Sequence, residues 1–162
     1  MKKWILLLAL FALPTGISAQ ECDVPKIGAQ VFIEPGQMPD DIDCFFRILR
    51  DNGLKVARVR MFGAHMYRDG KWNFDLYDEA FRAAERYGIR LFATLFPLTD
   101  ELTDVGGFKF PSSKRHLAEV DEYVTQVVTH FRKFPALWAW VLQNEPGTGG
   151  VRIQETDLSR EV

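Results

Sequence analysis

Seven consecutive apolar residues, Ala136-Leu137-Trp138-Ala139-Trp140-Val141-Leu142, constrain this chain more than any other stretch. The run is long enough for one strand and too short for a typical helix. A strand apolar on both faces is one buried on both faces, as in a parallel sheet covered by helices. The run stops at Gln143-Asn144-Glu145, and Pro146-Gly147 prevents the ladder from continuing. An amide and a carboxylate are thereby delivered at the carboxyl end of a buried strand, the edge where parallel α/β folds assemble ligand sites. Glu145 is therefore the leading catalytic candidate. The competing interpretation of Asn144-Glu145-Pro146 is a plain strand-to-loop turn with a solvated carboxylate.

The upstream chain repeats one rhythm. Residues 27–34 read as a strand closed by Pro35-Gly36, and Asp40 and Asp41 open a helix with Ile42, Phe45, Phe46 and Leu49 on one face. Asn52-Gly53 ends that helix, and residues 56–62 form the next strand. A loop over residues 64–73 leads to a helix with Tyr77, Ala80, Phe81 and Ala84 on one face, ended by Tyr87-Gly88. Residues 89–96 form a third strand, stopped by Pro97. After a longer loop containing Gly106-Gly107, Ser112 or Ser113 can cap a third helix whose stripe is Leu117, Val120, Val124, Val127, Val128 and Phe131. Strands alternating with crossover helices imply an α/β fold with a parallel sheet. Short helix-to-strand links and longer strand-to-helix links place the variable rim at the carboxyl edge. A doubly wound nucleotide binder would show a Gly-rich turn after its first strand, and Glu34-Pro35-Gly36-Gln37 is not one.

The first residues read as a targeting segment. Lys2 and Lys3 precede the apolar run of residues 4–13, Pro14 breaks it, and Ile17-Ser18-Ala19 supplies small residues for cleavage after Ala19. Residues 1–19 are thus expected to be a signal peptide and the mature chain secreted or periplasmic, with no membrane attachment after cleavage. A formal net charge of -2, with neither sign clustered, argues against nucleic acid as a partner. Cys22 and Cys44 would enter an oxidising compartment, where they either bridge the mature N-terminus to the first helix or remain apart. No CxxC or Cys/His metal spacing is present.

Taken together, these residues resemble the catalytic domain of the clan A glycoside hydrolases, the (β/α)8 retaining glycosidases, and within the clan most closely the β-galactosidases of family 42. The likeness is carried by Gly28-Ala29-Gln30 through Glu34-Pro35-Gly36-Gln37, by Val59-Arg60-Met61, by Gly70-Lys71-Trp72-Asn73-Phe74-Asp75 through Tyr87-Gly88-Ile89, and by Pro135-Ala136-Leu137 through Asn144-Glu145-Pro146. The last of these is the most specific. The resemblance implies that Glu145 is the general acid/base, that Asn144 holds the 2-hydroxyl of the sugar, and that Arg60 orients the catalytic carboxylate and substrate. The substrate would be an oligo- or polysaccharide, and no metal or organic cofactor is required. Elementary chemistry agrees: a proton donor to a departing sugar needs a raised carboxyl pKa, which partial desolvation supplies. Arg60 on an apolar strand would be costly to bury unpaired, so a carboxylate partner is expected, catalytic or structural. Glu34, His65, Trp138 and Trp140 are weaker candidates. Glu34 could touch sugar or bridge the rim, His65 is expected in a solvated loop, and the tryptophans are expected to pack. Asp100, Glu101 and Asp104 read as a solvated cluster. An endo-acting glucanase, mannanase or galactanase of the same clan would carry the same strand-four motif, and a non-catalytic carbohydrate-binding half barrel is the reading from another class.

A typical barrel has eight strands in about 250 residues. Residues 20–162 supply about the first four βα units, a partial (β/α)8 barrel. A retaining mechanism needs a second carboxylate about 5–5.5 Å from the first, and in this clan it comes from the seventh strand. The sequence is therefore expected to be the N-terminal part of a longer catalytic domain, apparently truncated. The isolated 162-residue polypeptide is expected to be inactive; robust turnover of an aryl galactoside by purified residues 20–162 would refute this.

Overall fold

A computed structural model of the chain describes residues 27–97, 103–104, 107–108, 113–142 and 144. Four parallel strands form its sheet, in the order β1 (Gly28–Val31), β2 (Val56–Phe62), β5 (Arg90–Phe96) and β8 (Leu137–Val141). Three helices cross between them: α1 (Pro39–Asp51), α3 (Asp75–Arg86) and α4 (Lys114–Phe131). Neighbouring strands are consecutive in the βα succession, so each crossover returns beside the strand it left. This is an α/β fold built as part of a (β/α)8 barrel.

Local chemistry explains the boundaries. Pro39 occupies the first turn of α1, where a missing N–H costs nothing. The Asp41 carboxylate accepts the Met38 N–H at 2.9 Å, tying the cap residue to the first turn. Both α1 and α3 end on a left-handed glycine, Gly53 at φ 74° and Gly88 at φ 64°. Leu54 N–H then reaches the Leu49 carbonyl and Ile89 N–H the Ala84 carbonyl, 2.9 and 2.8 Å, closing two helix ends in the same way. Ser113 rather than Ser112 caps α4, its hydroxyl accepting His116 N–H at 3.1 Å.

The core lies between one face of the sheet and the helices. Ala57, Val59, Met61, Leu91, Ala93 and Leu95 point into it, all 0–1% exposed. Ile42, Phe46 and Leu49 of α1 and Tyr77, Ala80, Phe81 and Ala84 of α3 meet them, as the sequence period predicts. On α4 the stripe is rotated. Tyr123, Val127 and Phe131 are buried, whereas Leu117 is 49% exposed.

Two buried tyrosines secure the carboxyl edge. Tyr77 of α3 accepts the Phe62 N–H at the end of β2, 3.1 Å, and Tyr123 of α4 accepts the Phe96 N–H at the end of β5, 3.0 Å. Tyr123 also donates to the Met61 carbonyl. Each hydroxyl satisfies a backbone group that the sheet leaves over, and burial raises both phenol pKa values.

Three expectations are corrected. The segment after β2 is not an open loop: it forms a short helix, α2 (Gly63–Met66), and a hairpin of β3 (Tyr67–Arg68) and β4 (Lys71–Trp72). Its turn residues Asp69 and Gly70 both have positive φ, the primed-turn geometry that Asp-Gly favours. The longer loop likewise holds a two-strand pairing, β6 (Thr103–Asp104) with β7 (Gly107–Phe108). Finally, β8 is not buried on both faces. It pairs only with β5 among the described residues, and Trp138 is 44% exposed.

Candidate active site

The strand alternation that sends Ala57, Val59 and Met61 to the helices sends Arg58, Arg60 and Phe62 to the opposite face. Thr94 of β5 shares that face, since Arg60 is its register partner. Val141 pairs with Thr94, and three residues later Asn144 sits at the carboxyl edge, 2% exposed. One guanidinium joins these elements: Arg58 Nε donates to Thr94 Oγ1 at 2.8 Å, and an Arg58 terminal nitrogen donates to Asn144 Oδ1. A charge-assisted bond of this kind is stronger than a neutral one, and a planar fork fixes direction as well as distance. The Asn144 amide is thereby oriented, with its oxygen turned to Arg58.

Arg60 stands elsewhere. Its guanidinium carbon lies 5.6 Å from the Phe32 ring centre and 5.4 Å from that of Phe96, within cation–π range. Its Nε is buried without a hydrogen-bond partner among the described residues. The structure thus brings Asn144 to Arg58 rather than to Arg60. The sequence held a signal for this, because a period of two puts both arginines on one face; which of them reaches Asn144 depends on side-chain direction. Glu145, the next residue along the chain, lies outside the described residues, as do Asp100, Glu101 and Cys22.

His65 is not a solvated loop residue. It belongs to α2, its ring lies 5.0 Å from that of Phe62, and its Nδ1 is 3.2 Å from the Tyr77 hydroxyl. Because that hydroxyl oxygen already accepts from Phe62, its proton is available to His65. Burial pushes the imidazole below its ordinary 6.5, opposed by the Glu34 carboxylate 3.8 Å away. A pKa lowered on folding means protonation favours the unfolded chain, so this contribution is intact above pH 6.5 and is lost as pH falls from there through the folded value. Scanning calorimetry should show Tm falling on acidification below that point, and His65→Gln should flatten the slope.

The two tryptophans of β8 diverge because a register irregularity separates Leu91 from Phe92. Trp140 packs on the core, while Trp138 lies 5.1 Å from the Phe92 ring on the other face. Among the described residues Cys44 forms no disulfide, and its sulfur accepts from Arg47 at 3.4 Å. Among the described residues no cluster of three or more His, Cys, Asp or Glu side chains is placed to hold a metal ion, and no helix is long and apolar enough to cross a membrane.

The parallel sheet with its crossover helices is part of a (β/α)8 barrel, a fold found among glycoside hydrolases. Solved structures share it. The endo-β-1,4-mannanase from Thermotoga petrophila superposes with a TM-score of 0.55 at 21% identity, over 70% of this chain and 33% of its own. The β-galactosidase from the psychrophilic Marinomonas ef1 gives 0.55 at 15% identity, over 71% and 21%. Among curated proteins, the probable mannan endo-1,4-beta-mannosidase F of Aspergillus oryzae is 27% identical, in an alignment that covers 76% of this chain and 33% of the relative. The chain spans about a third of the length of the curated relatives it matches. No protein-family model matches it.

Proposed function

We propose that the chain is the N-terminal part of the catalytic domain of an exported retaining glycosidase acting on a polysaccharide, with Glu145 as its general acid/base. The observation that carries this reading is the tie of Arg58 to Thr94 and Asn144 at the carboxyl edge of four parallel strands. An amide so held can meet a sugar hydroxyl with little loss of freedom. The residue after it carries a carboxyl group that, when protonated, can donate its proton to the leaving oxygen and, once ionised, activate water, while a nucleophile from a later strand attacks the anomeric carbon. Asn144 holds the sugar, and Arg58 is the positioning residue.

The mannan reading leads for the substrate, supported by curated relatives named as mannan endo-1,4-beta-mannosidases at 24–27% identity. A β-galactosidase-like reading is the second, favoured by the first-strand segment Gly28-Ala29-Gln30 through Glu34-Pro35-Gly36-Gln37. Incubating the full-length gene product with β-1,4-mannan should lower viscosity early and release oligosaccharides. Turnover of an aryl β-galactoside without mannan cleavage would select the second reading, and hydrolysis of neither would overturn both.

Arg58→Lys should lower kcat by about 10–100-fold, because a shift of order 1 Å in a positioned group costs that much. Arg60→Lys should cost less. Equal losses in the two variants would count against Arg58 as the positioning residue.

A further inference from the structure

A second concavity, of about 550 Å³, lies outside the Arg58–Asn144 tie and shares none of its residues. Its walls come from the turn after β1, from α2, from the β3–β4 hairpin and from the start of α3. The size suits a small ligand of one or two rings. Its base is apolar, with Ile42 and Met66 each 1% exposed.

The hairpin contributes an electrostatic anomaly. Arg68 and Lys71 are directly opposed in the register, both exposed, and neither forms an ion pair among the described residues. Like charges directly across a two-strand pair repel, and the primed turn of Asp69-Gly70 holds them there. Both line the concavity. The same concavity is lined by Asn73, two residues before α3, and by Asp75, the first residue of α3. Asn73 spends its oxygen on the Asp75 N–H, 2.8 Å, which leaves its amide nitrogen as a donor. The Glu79 carboxylate is answered by Arg82 at 3.9 Å and Arg86 at 3.4 Å, whereas Asp75 has no ion pair among the described residues. Among the lining side chains, Arg68 and Lys71 against the uncompensated Asp75 leave a surplus of a single positive charge; the Glu34 carboxylate lies against His65, outside the lining.

We propose that this concavity binds a sugar ring carrying one carboxylate, a uronic acid unit, with the carboxylate between Arg68 and Lys71 and the ring hydroxyls on Asp75 and the Asn73 amide. A monoanion matches the surplus and relieves the opposed cations, while Asp75 opposes a dianion such as phosphate. Asp75 can accept from hydroxyls, which a bare carboxylate lacks. The assignment goes beyond the glycosidase reading and does not depend on it, because its test reads binding and not turnover.

The test is calorimetric titration of the full-length polypeptide with methyl glucuronoside or galacturonoside, against the neutral methyl glycosides, sodium acetate and inorganic phosphate. The uronosides should bind at least about tenfold more tightly than each of the others. Arg68→Gln/Lys71→Gln should abolish that preference while Tm stays level or rises, since the substitution removes a repulsion. Equal affinity for the neutral glycoside, acetate as tight as the uronoside, tighter phosphate, or an unchanged preference in the double variant would each overturn the proposal.

Discussion

Glu145→Ala in the full-length gene product is expected to lower kcat on β-mannan by about 10²–10⁴-fold, the contribution of a positioned general acid or base. The loss should depend on the leaving group. A natural glycan departs as a poor alkoxide and needs the proton, so its cleavage should suffer most. A dinitrophenyl glycoside departs without protonation, so its first step should be nearly spared and the second, which needs a base to activate water, should become limiting. A small anion such as azide needs no base, and adding it should restore turnover and yield the glycosyl azide. A uniform loss across leaving groups, with no rescue, would sink the role of Glu145 as acid/base. Loss confined to KM would make it a binding residue instead.

Tyr123→Phe should destabilise the protein by about 1–3 kcal/mol, the cost of stranding buried polar groups. The substitution leaves the Phe96 N–H and the Met61 carbonyl without the hydroxyl that serves both, at a site where Tyr123 and Phe96 are 0% and 1% exposed. At about 2–4 °C per kcal/mol for a domain of this size or larger, the shift is measurable by calorimetry. Amide exchange gives the sharper readout, because Phe96 should lose protection while Leu91, bonded to the Ala136 carbonyl at 2.8 Å, should keep it. Unchanged exchange at Phe96 would show that the hydroxyl is dispensable.

The succession of strands and helices was legible because its signals are local. Apolar period, Gly53 and Gly88 after two helices, and Ser113 before a third all act within a few residues. The hairpin of Tyr67–Arg68 with Lys71–Trp72 was hidden because two-residue strands carry no period, although Asp69-Gly70 did carry a turn signal. Tyr123 lies outside the apolar stripe that the sequence of α4 offers, and nothing local gives its hydroxyl a reason for burial. Only the unsatisfied ends of β2 and β5, remote in sequence, give that hydroxyl a reason to be inside. For the candidate site, Asn144 could be placed from the end of its strand. Choosing Arg58 over Arg60 required knowing which guanidinium leans to a residue 86 positions away. The apolar composition of β8 likewise could not reveal its exposure, which depends on how many neighbours it has.

The hydroxyls of Tyr77 and Tyr123 reach the strand ends from the outer helices, so the loops do not have to hold the edges together. A scaffold braced in this manner tolerates exchange of its connecting segments. If the glycosidase reading holds, grafting a foreign loop after β5 should alter which glycans are accepted while the melting behaviour of the domain stays close to the parent's. Specificity can then drift independently of foldedness.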